Sequence, residues 1–144
     1  MPVLSLQTDY SLRILMFLAA HADRRCQIQE VATFFGISKD NLAKAARRLG
    51  QEGFIRTIRG VGGGLELSRS PEDIRLGDVI QRVEGQLGLL DCTQVEGVCR
   101  IQPGCKLKGV LAEAERLQRE YLESVSLSDV IAAGDDLVQL TSLS

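Results

Sequence analysis

The sequence predicts a mainly α-helical fold with a small β-hairpin wing, a winged helix-turn-helix followed by a long dimerisation helix. Three features predict it. Two amphipathic segments meet at Gly36-Ile37-Ser38, the tight turn of a helix-turn-helix. Directly afterwards FIRTIR and LELS, separated by the flexible RGVGGG, take the shorter period of a hairpin. Further on, from about 106 to 125, apolar residues follow one unbroken helical stripe.

The opening LQTDYSLRILMFLAAHAD reads as the first helix. Thr8 or Gln7 is placed to cap it, Asp9 suits the positive N-terminus, and Leu12, Leu15, Met16 and Ala19 form an apolar stripe. QIQEVATFFGI is a short second helix with Ile28, Val31, Ala32 and Phe35 on one side and Gly36 as terminator. Ser38 caps the third helix, which ends near Gly53, and its Leu42, Ala45, Ala46 and Leu49 recur at i, i+3, i+4, i+7. After the hairpin, Pro71 leads into a helix over roughly 76–83 that turns Val79, Ile80 and Val83 inward. The stretch from about 87 to 104 has no regular period.

Leu107, Val110, Leu111, Ala114, Leu117, Tyr121 and Leu122 make the stripe of the long helix. Glu115–Arg119, Arg116–Glu120 and Arg119–Glu123 are spaced for ion pairs on its other faces. Such a helix spans about 30 Å, more than a small domain usually buries alone, so pairing with a second copy is its expected use. Ser126 caps a last short helix, LSDVIAA, and GDDLVQLTSLS reads as a loosely ordered tail. The chain thus divides into a winged helix-turn-helix domain (1–84), a cysteine loop (85–105), the dimerisation helix with the terminal short helix (106–133) and the tail (134–144).

With 144 residues, 44% hydrophobic and 25% charged, the composition is that of one soluble globular domain. No apolar run is long enough to cross a bilayer, since Arg13 and His21 bound ILMFLAA, and no signal peptide is read, so the expected location is cytoplasmic. Cysteines in that compartment serve as reduced thiols or metal ligands rather than disulfides. The formal net charge of −2 conceals an asymmetry. Residues 1–70 carry ten Lys/Arg against six Asp/Glu, whereas residues 71–144 carry seven against thirteen. A basic half joined to an acidic half suits a chain that meets phosphate at one end.

The face of the third helix opposite its apolar stripe carries Asp40, Lys44, Arg47 and Gln51, flanked by Asn41 and Arg48. A recognition helix places its early turns in the major groove, where Lys and Arg reach guanine and Asn reaches adenine. Ser38, Lys39 and Asn41 stand at that leading end, and Arg47 and Arg48 are expected on phosphates. In the wing, Arg56 and Arg59 frame a turn of small residues suited to the narrow minor groove. Asp40 and Glu52 favour the alternative of a protein-binding winged helix, which the basic sum of the region opposes.

Cys92, Cys99 and Cys105 lie in DCTQVEGVCRIQPGC at the spacing C-x6-C-x5-C. Thiolates bind iron–sulfur clusters and zinc well, and three fall one short of the usual four protein ligands. The set therefore implies a fourth ligand from elsewhere or an open position. The clustered C-x2–4-C pairs of structural zinc are absent. Cys26, outside the motif, reads as a packed thiol, and His21 as a surface residue at a helix end.

The segments TDYSLRILMFLA, VATFFGISKDNLAKAARRLGQEGFI, IRGVGGGLEL and IRLGDVIQRVE resemble the winged-helix iron–sulfur repressors, the family that includes IscR and NsrR. The likeness runs over about residues 4–130, and the joint occurrence of first helix, glycine-rich wing and three-cysteine loop is specific. Within that family, LLDCTQVEGVCRIQPGCKLKGVLAEA is most similar to the NsrR-type, nitric-oxide-sensing members. The resemblance implies a homodimeric DNA-binding repressor with one [4Fe-4S] cluster per subunit on Cys92, Cys99 and Cys105. It also implies that Asp9, in the TDY motif, completes the cluster of the other subunit, and that nitric oxide releases a palindromic double-stranded operator.

Two positions depart from family patterns. Lys108 stands where the IscR pattern has a histidine, which separates this chain from IscR. Six residues part Cys92 from Cys99, more than related proteins often have, and this keeps a [2Fe-2S] redox or cluster-status regulator as the alternative. A redox module without a DNA role is the remaining alternative. No nucleophile–base set, phosphate loop or hydrolase motif is present, and GVGGG lies in a hairpin, so no enzyme is expected.

Overall fold

The computed structural model describes residues 5–85 and 106–133. Along the chain come α1 (Leu6–Ala20), α2 (Ile28–Phe35), α3 (Lys39–Gln51), β1 (Ile55–Ile58), β2 (Gly64–Leu67), a 3₁₀ turn (Pro71–Asp73), α4 (Leu76–Glu84), α5 (Lys106–Ser124) and α6 (Leu127–Ala133). The elements expected from periodicity are present at these positions. The cysteine loop beyond Gly85 and the tail 134–144 lie outside the described residues.

α1 is the centre of the core, and α3, α4, α6 and β2 all pack on it. The expected stripe on α1 is therefore too narrow. Ile14, Leu15, Phe17 and Leu18 are its buried apolar residues, while Leu12, Met16 and Ala19 are only partly buried. A helix covered from several directions is apolar around most of its circumference, which blurs a single-face pattern. Its cap also differs from expectation. Ser5, rather than Thr8 or Gln7, is the N-cap, and its Oγ accepts from the Thr8 N–H at 3.3 Å. The Thr8 side chain is fully buried and its hydroxyl donates to Glu84 Oε2.

α2 is capped at its start by Gln27, whose N–H donates to Glu30 Oε1 at 2.9 Å, and at its end by Gly36 with φ 67°. That left-handed conformation costs a glycine nothing and turns the chain sharply into α3. Ser38 caps α3 by accepting from the Asn41 N–H at 3.2 Å, and Leu42, Ala45, Ala46 and Leu49 are buried as the spacing predicts. Phe54, fully buried, joins α3 to the wing, where β1 and β2 pair antiparallel from Ile55↔Leu67 to Ile58↔Gly64.

α5 packs on α4 and is then sewn back to the core. The Leu76 N–H donates to Val125 O at 2.9 Å and the Leu127 N–H to Ile74 O at 2.8 Å. Gly77 lets the two helices approach, since a Cβ there would lie 2.7 Å from the Glu123 backbone nitrogen. Arg116 pairs with Glu120 at 2.7 Å as expected, and also with Glu113. The outer side of α5 exposes Leu107, Val110, Leu117 and Tyr121, each more than half accessible at 57, 63, 53 and 69%. α6 opens on Ser126, whose Oγ accepts from the Asp129 N–H at 3.2 Å.

Candidate nucleic-acid interface

Packing alone decides which side of α3 is free. With Leu42, Ala45, Ala46 and Leu49 turned into the core, Lys39, Asp40, Asn41, Lys44, Arg47 and Gln51 are exposed together with the cap Ser38. Arg48 is engaged differently. Its Nη2 donates to Arg82 O at 2.9 Å and pairs with Glu52 Oε1 at 3.3 Å, bracing α3 on α4. Glu52, the C-cap of α3, also takes Arg82 Nη1 at 3.6 Å and is thus paired within the protein, whereas Asp40 in the first turn of α3 stays exposed. The Arg48 Nε is buried and has no hydrogen-bond partner among the described residues.

In the wing, Arg59 is exposed at the turn beside a fully accessible Val61. Arg56 is exposed too, with its Nη2 3.4 Å from Glu66 Oε1. Glu66 also accepts from Arg25 Nε at 3.3 Å. The chain between α1 and α2 thus reaches the wing, and Cys26 forms a β-bridge with Leu65. Cys26 is completely buried, and that burial pushes its thiol pKa up against the opposing pull of Arg24, so it is the packed thiol expected.

Asp9 sits in the first turn of α1 and accepts from Arg13 Nε at 3.0 Å, with 45% of its side chain exposed. The Arg13 guanidinium lies 5.3 Å from the Phe35 ring centroid, over the last residue of α2. His21 closes α1, stacked on Phe17 at 4.5 Å, with Nδ1 3.0 Å from Phe17 O. Cys92, Cys99 and Cys105 lie outside the described residues. Among the described residues no three His, Cys, Asp or Glu side chains converge as a metal site.

Periodicity misses Glu84, the last residue of α4, which faces Asp9's end of α1. One carboxylate oxygen takes the Ser5 N–H at 2.9 Å, the Ser5 hydroxyl at 2.8 Å and the Thr8 hydroxyl. Burial works to raise the pKa of Glu84, but these three donors outweigh it and hold the carboxyl below its ordinary value of 4.5. A lowered folded value means that the ionised group stabilises the fold above that ordinary value, and that the stabilisation is lost as pH falls through the folded value. Glu84→Gln is accordingly expected to be less stable than the parent at pH 6, with the gap closing towards pH 3. Urea unfolding across that range checks it, and a gap independent of pH contradicts it.

Residues 4–133 match the Rrf2 family, described as an iron-dependent transcriptional regulator. The chain belongs to the Rrf2 family. Its Rrf2 relatives include the HTH-type transcriptional regulator NsrR of Bacillus subtilis (strain 168), 39% identical over 138 residues and 94% of each chain. NsrR of Halalkalibacterium halodurans is 40% identical over 138 residues, again 94% of each chain. Among solved structures, CymR, the global cysteine regulator of B. subtilis, superposes with a TM-score of 0.78 at 25% identity, covering 92% of this chain and 98% of CymR. IscR of T. potens gives 0.74 at 25% identity, covering 91% and 87%. As an Rrf2 member with this winged-helix fold, the chain is a DNA-binding transcriptional regulator, and its relatives are regulators rather than enzymes. Among the described residues no helix is long and apolar enough to cross a membrane.

Proposed function

We propose that the chain is a homodimeric, cytoplasmic repressor whose [4Fe-4S] cluster senses nitric oxide, nitrosylation of the cluster releasing a palindromic operator. The exposed polar face of α3 behind the Gly36 turn carries the reading. Ser38, Lys39, Asn41 and Lys44 meet base edges in the major groove, and Arg47 meets phosphate. Arg48, braced on α4, holds the phosphate side of the helix in place while Arg56 and Arg59 approach the minor groove. The bare apolar side of α5 supports a second copy as partner, which would put two reading helices on half-sites about 34 Å apart. In this reading 1–84 is the DNA-binding unit, 85–105 the cluster loop and 106–133 the dimerisation unit.

Cys92, Cys99 and Cys105 would hold the cluster, with Asp9 reaching that of the other subunit. Three thiolates and one carboxylate are a donor set that iron–sulfur chemistry accepts, and when bound the cluster supplies iron open to small-molecule attack beside the weaker carboxylate. Asp9 is accessible for this, because an exposed pair like Asp9–Arg13 is worth only about 0–1 kcal/mol and exchanges readily. Switching requires a coupling of about 1–3 kcal/mol between the cluster loop and the reading helices.

Anaerobic native mass spectrometry before and after nitric oxide titration tests the proposal. A dimer carrying two [4Fe-4S] masses that gains nitric oxide and then loses its operator is the expected result. Asp9→Ala should weaken the response and change the cluster spectrum, and an unaltered variant would remove Asp9 from the ligand set. The six-residue spacing between Cys92 and Cys99 favours the second reading, a [2Fe-2S] redox or cluster-status regulator. A stable [2Fe-2S] mass indifferent to nitric oxide would select it, and zinc or no metal would sink both.

A further inference from the structure

A two-stranded hairpin is marginally stable on its own in water, so the position of a wing beside its reading helix depends on a third support. Here the support is the turn between α1 and α2. Arg25 Nη1 donates to Gly62 O at 3.0 Å and Gln27 Nε2 to Gly63 O at 2.8 Å, so two side chains hold consecutive carbonyls of the wing turn. Between them the Cys26 N–H donates to Leu65 O at 3.0 Å and the Leu65 N–H to Cys26 O at 2.7 Å. Gly64 makes this approach possible. It has φ 142°, and a Cβ there would lie 2.9 Å from Cys26 O and 3.2 Å from both Arg25 Cβ and Gln27 Nε2.

The same segment is anchored to the helix-turn-helix. Gln27 begins α2, and Arg24 Nη2 pairs with Glu30 Oε2 at 2.9 Å on its first turn. The wing is therefore tied to α3 twice, through Phe54 along the chain and through α2 by way of residues 25–27. We infer that Arg25 and Gln27 are positioning residues for operator binding, clamping the carbonyls of Gly62 and Gly63 so that Arg59 is held at the height of the minor groove. The inference rests on the DNA interface proposed above. It assigns Arg25 a role through the wing and not as a phosphate ligand of its own.

A double-mutant cycle tests it. The probe is a duplex enriched from a random-sequence pool by the wild-type protein, purified anaerobically, and melting curves confirm that each variant folds. Arg59→Ala is expected to weaken binding roughly tenfold, as loss of a groove arginine does. Arg25→Gln combined with Gln27→Ala should lose roughly tenfold as well, and the triple variant little more than Arg59→Ala alone, because all three act through one contact. Should the clamp variant melt early, Gln27→Glu, which turns a donor into an acceptor facing Gly63 O, replaces it in the cycle. A triple variant weakened roughly a hundredfold, or a clamp variant that binds like wild type, overturns the inference and leaves the DNA reading intact. Arg25→Lys that retains wild-type affinity also overturns it, since that result marks a simple phosphate charge. A wild-type chain that enriches no duplex removes the DNA reading itself.

Discussion

In the homodimer proposed above, Leu117→Asp is expected to separate the two subunits and to weaken operator binding by about two orders of magnitude or more. Leu117 is 53% exposed in the single chain and stands on α5 with Val110 and Tyr121, which are exposed as well. An isologous interface repeats each substitution on both subunits. A carboxylate left buried without a partner there costs about 3–5 kcal/mol, enough to separate a modest dimer. Once separated, each subunit holds one half-site, and the gain from tethering two binding events is lost. The core is untouched, so the secondary structure should persist. Sedimentation equilibrium with operator titration measures both effects, and a dimer that survives with full affinity would place the subunit contact on another surface. Leu122→Asp provides the contrast. That residue is only partly exposed and lines the groove between α4 and α5 with Ile80, so its loss should show first as lower stability.

The largest stability effect is expected at Phe54. Its side chain is fully buried, its N–H donates to Leu49 O at 3.0 Å, its carbonyl accepts from the Ser68 N–H at 3.0 Å, and the Arg69 guanidinium lies 5.0 Å from the ring centroid. Phe54→Ala removes the ring from the joint between reading helix and wing. Large-to-small changes of this kind cost about 3–5 kcal/mol. For a protein of this size that lowers the melting temperature by roughly 10–20 °C. Calorimetry measures it, and a fall of only a few degrees would mean that the joint collapses around the gap.

The parts of this fold that could be read in advance are those whose cause is local. Gly36 and Ser38 bracket a turn by their own backbone and side-chain chemistry, and the α3 stripe repeats at helical spacing, so both were predictable without knowing any neighbour. Thr8 shows the opposite case. As a threonine near a helix start it reads as a cap, yet its hydroxyl goes to Glu84, far along the chain, and Ser5 takes the cap. Arg48 follows the same logic, since it shares the polar side of α3 with Arg47 but finds Arg82 and Glu52 within reach. Arg25 and Gln27 carried no signal because polar residues in a turn are ordinary, and only the folded chain brings Gly62 and Gly63 beside them. The resemblance to iron–sulfur repressors located the family, which periodicity and charge alone could not do.

The pairing of Cys26 with Leu65 has a consequence for solubility. A wing projects strands into solvent, and a strand with unpaired amides and carbonyls invites another chain to join it edge to edge. In this protein Leu65 gives both its N–H and its C=O to Cys26, while Gln27 occupies the neighbouring carbonyl of Gly63. The remaining edge is short and carries the charges of Arg56 and Glu66. The protein can thus hold a hairpin out into solvent without offering a template for aggregation.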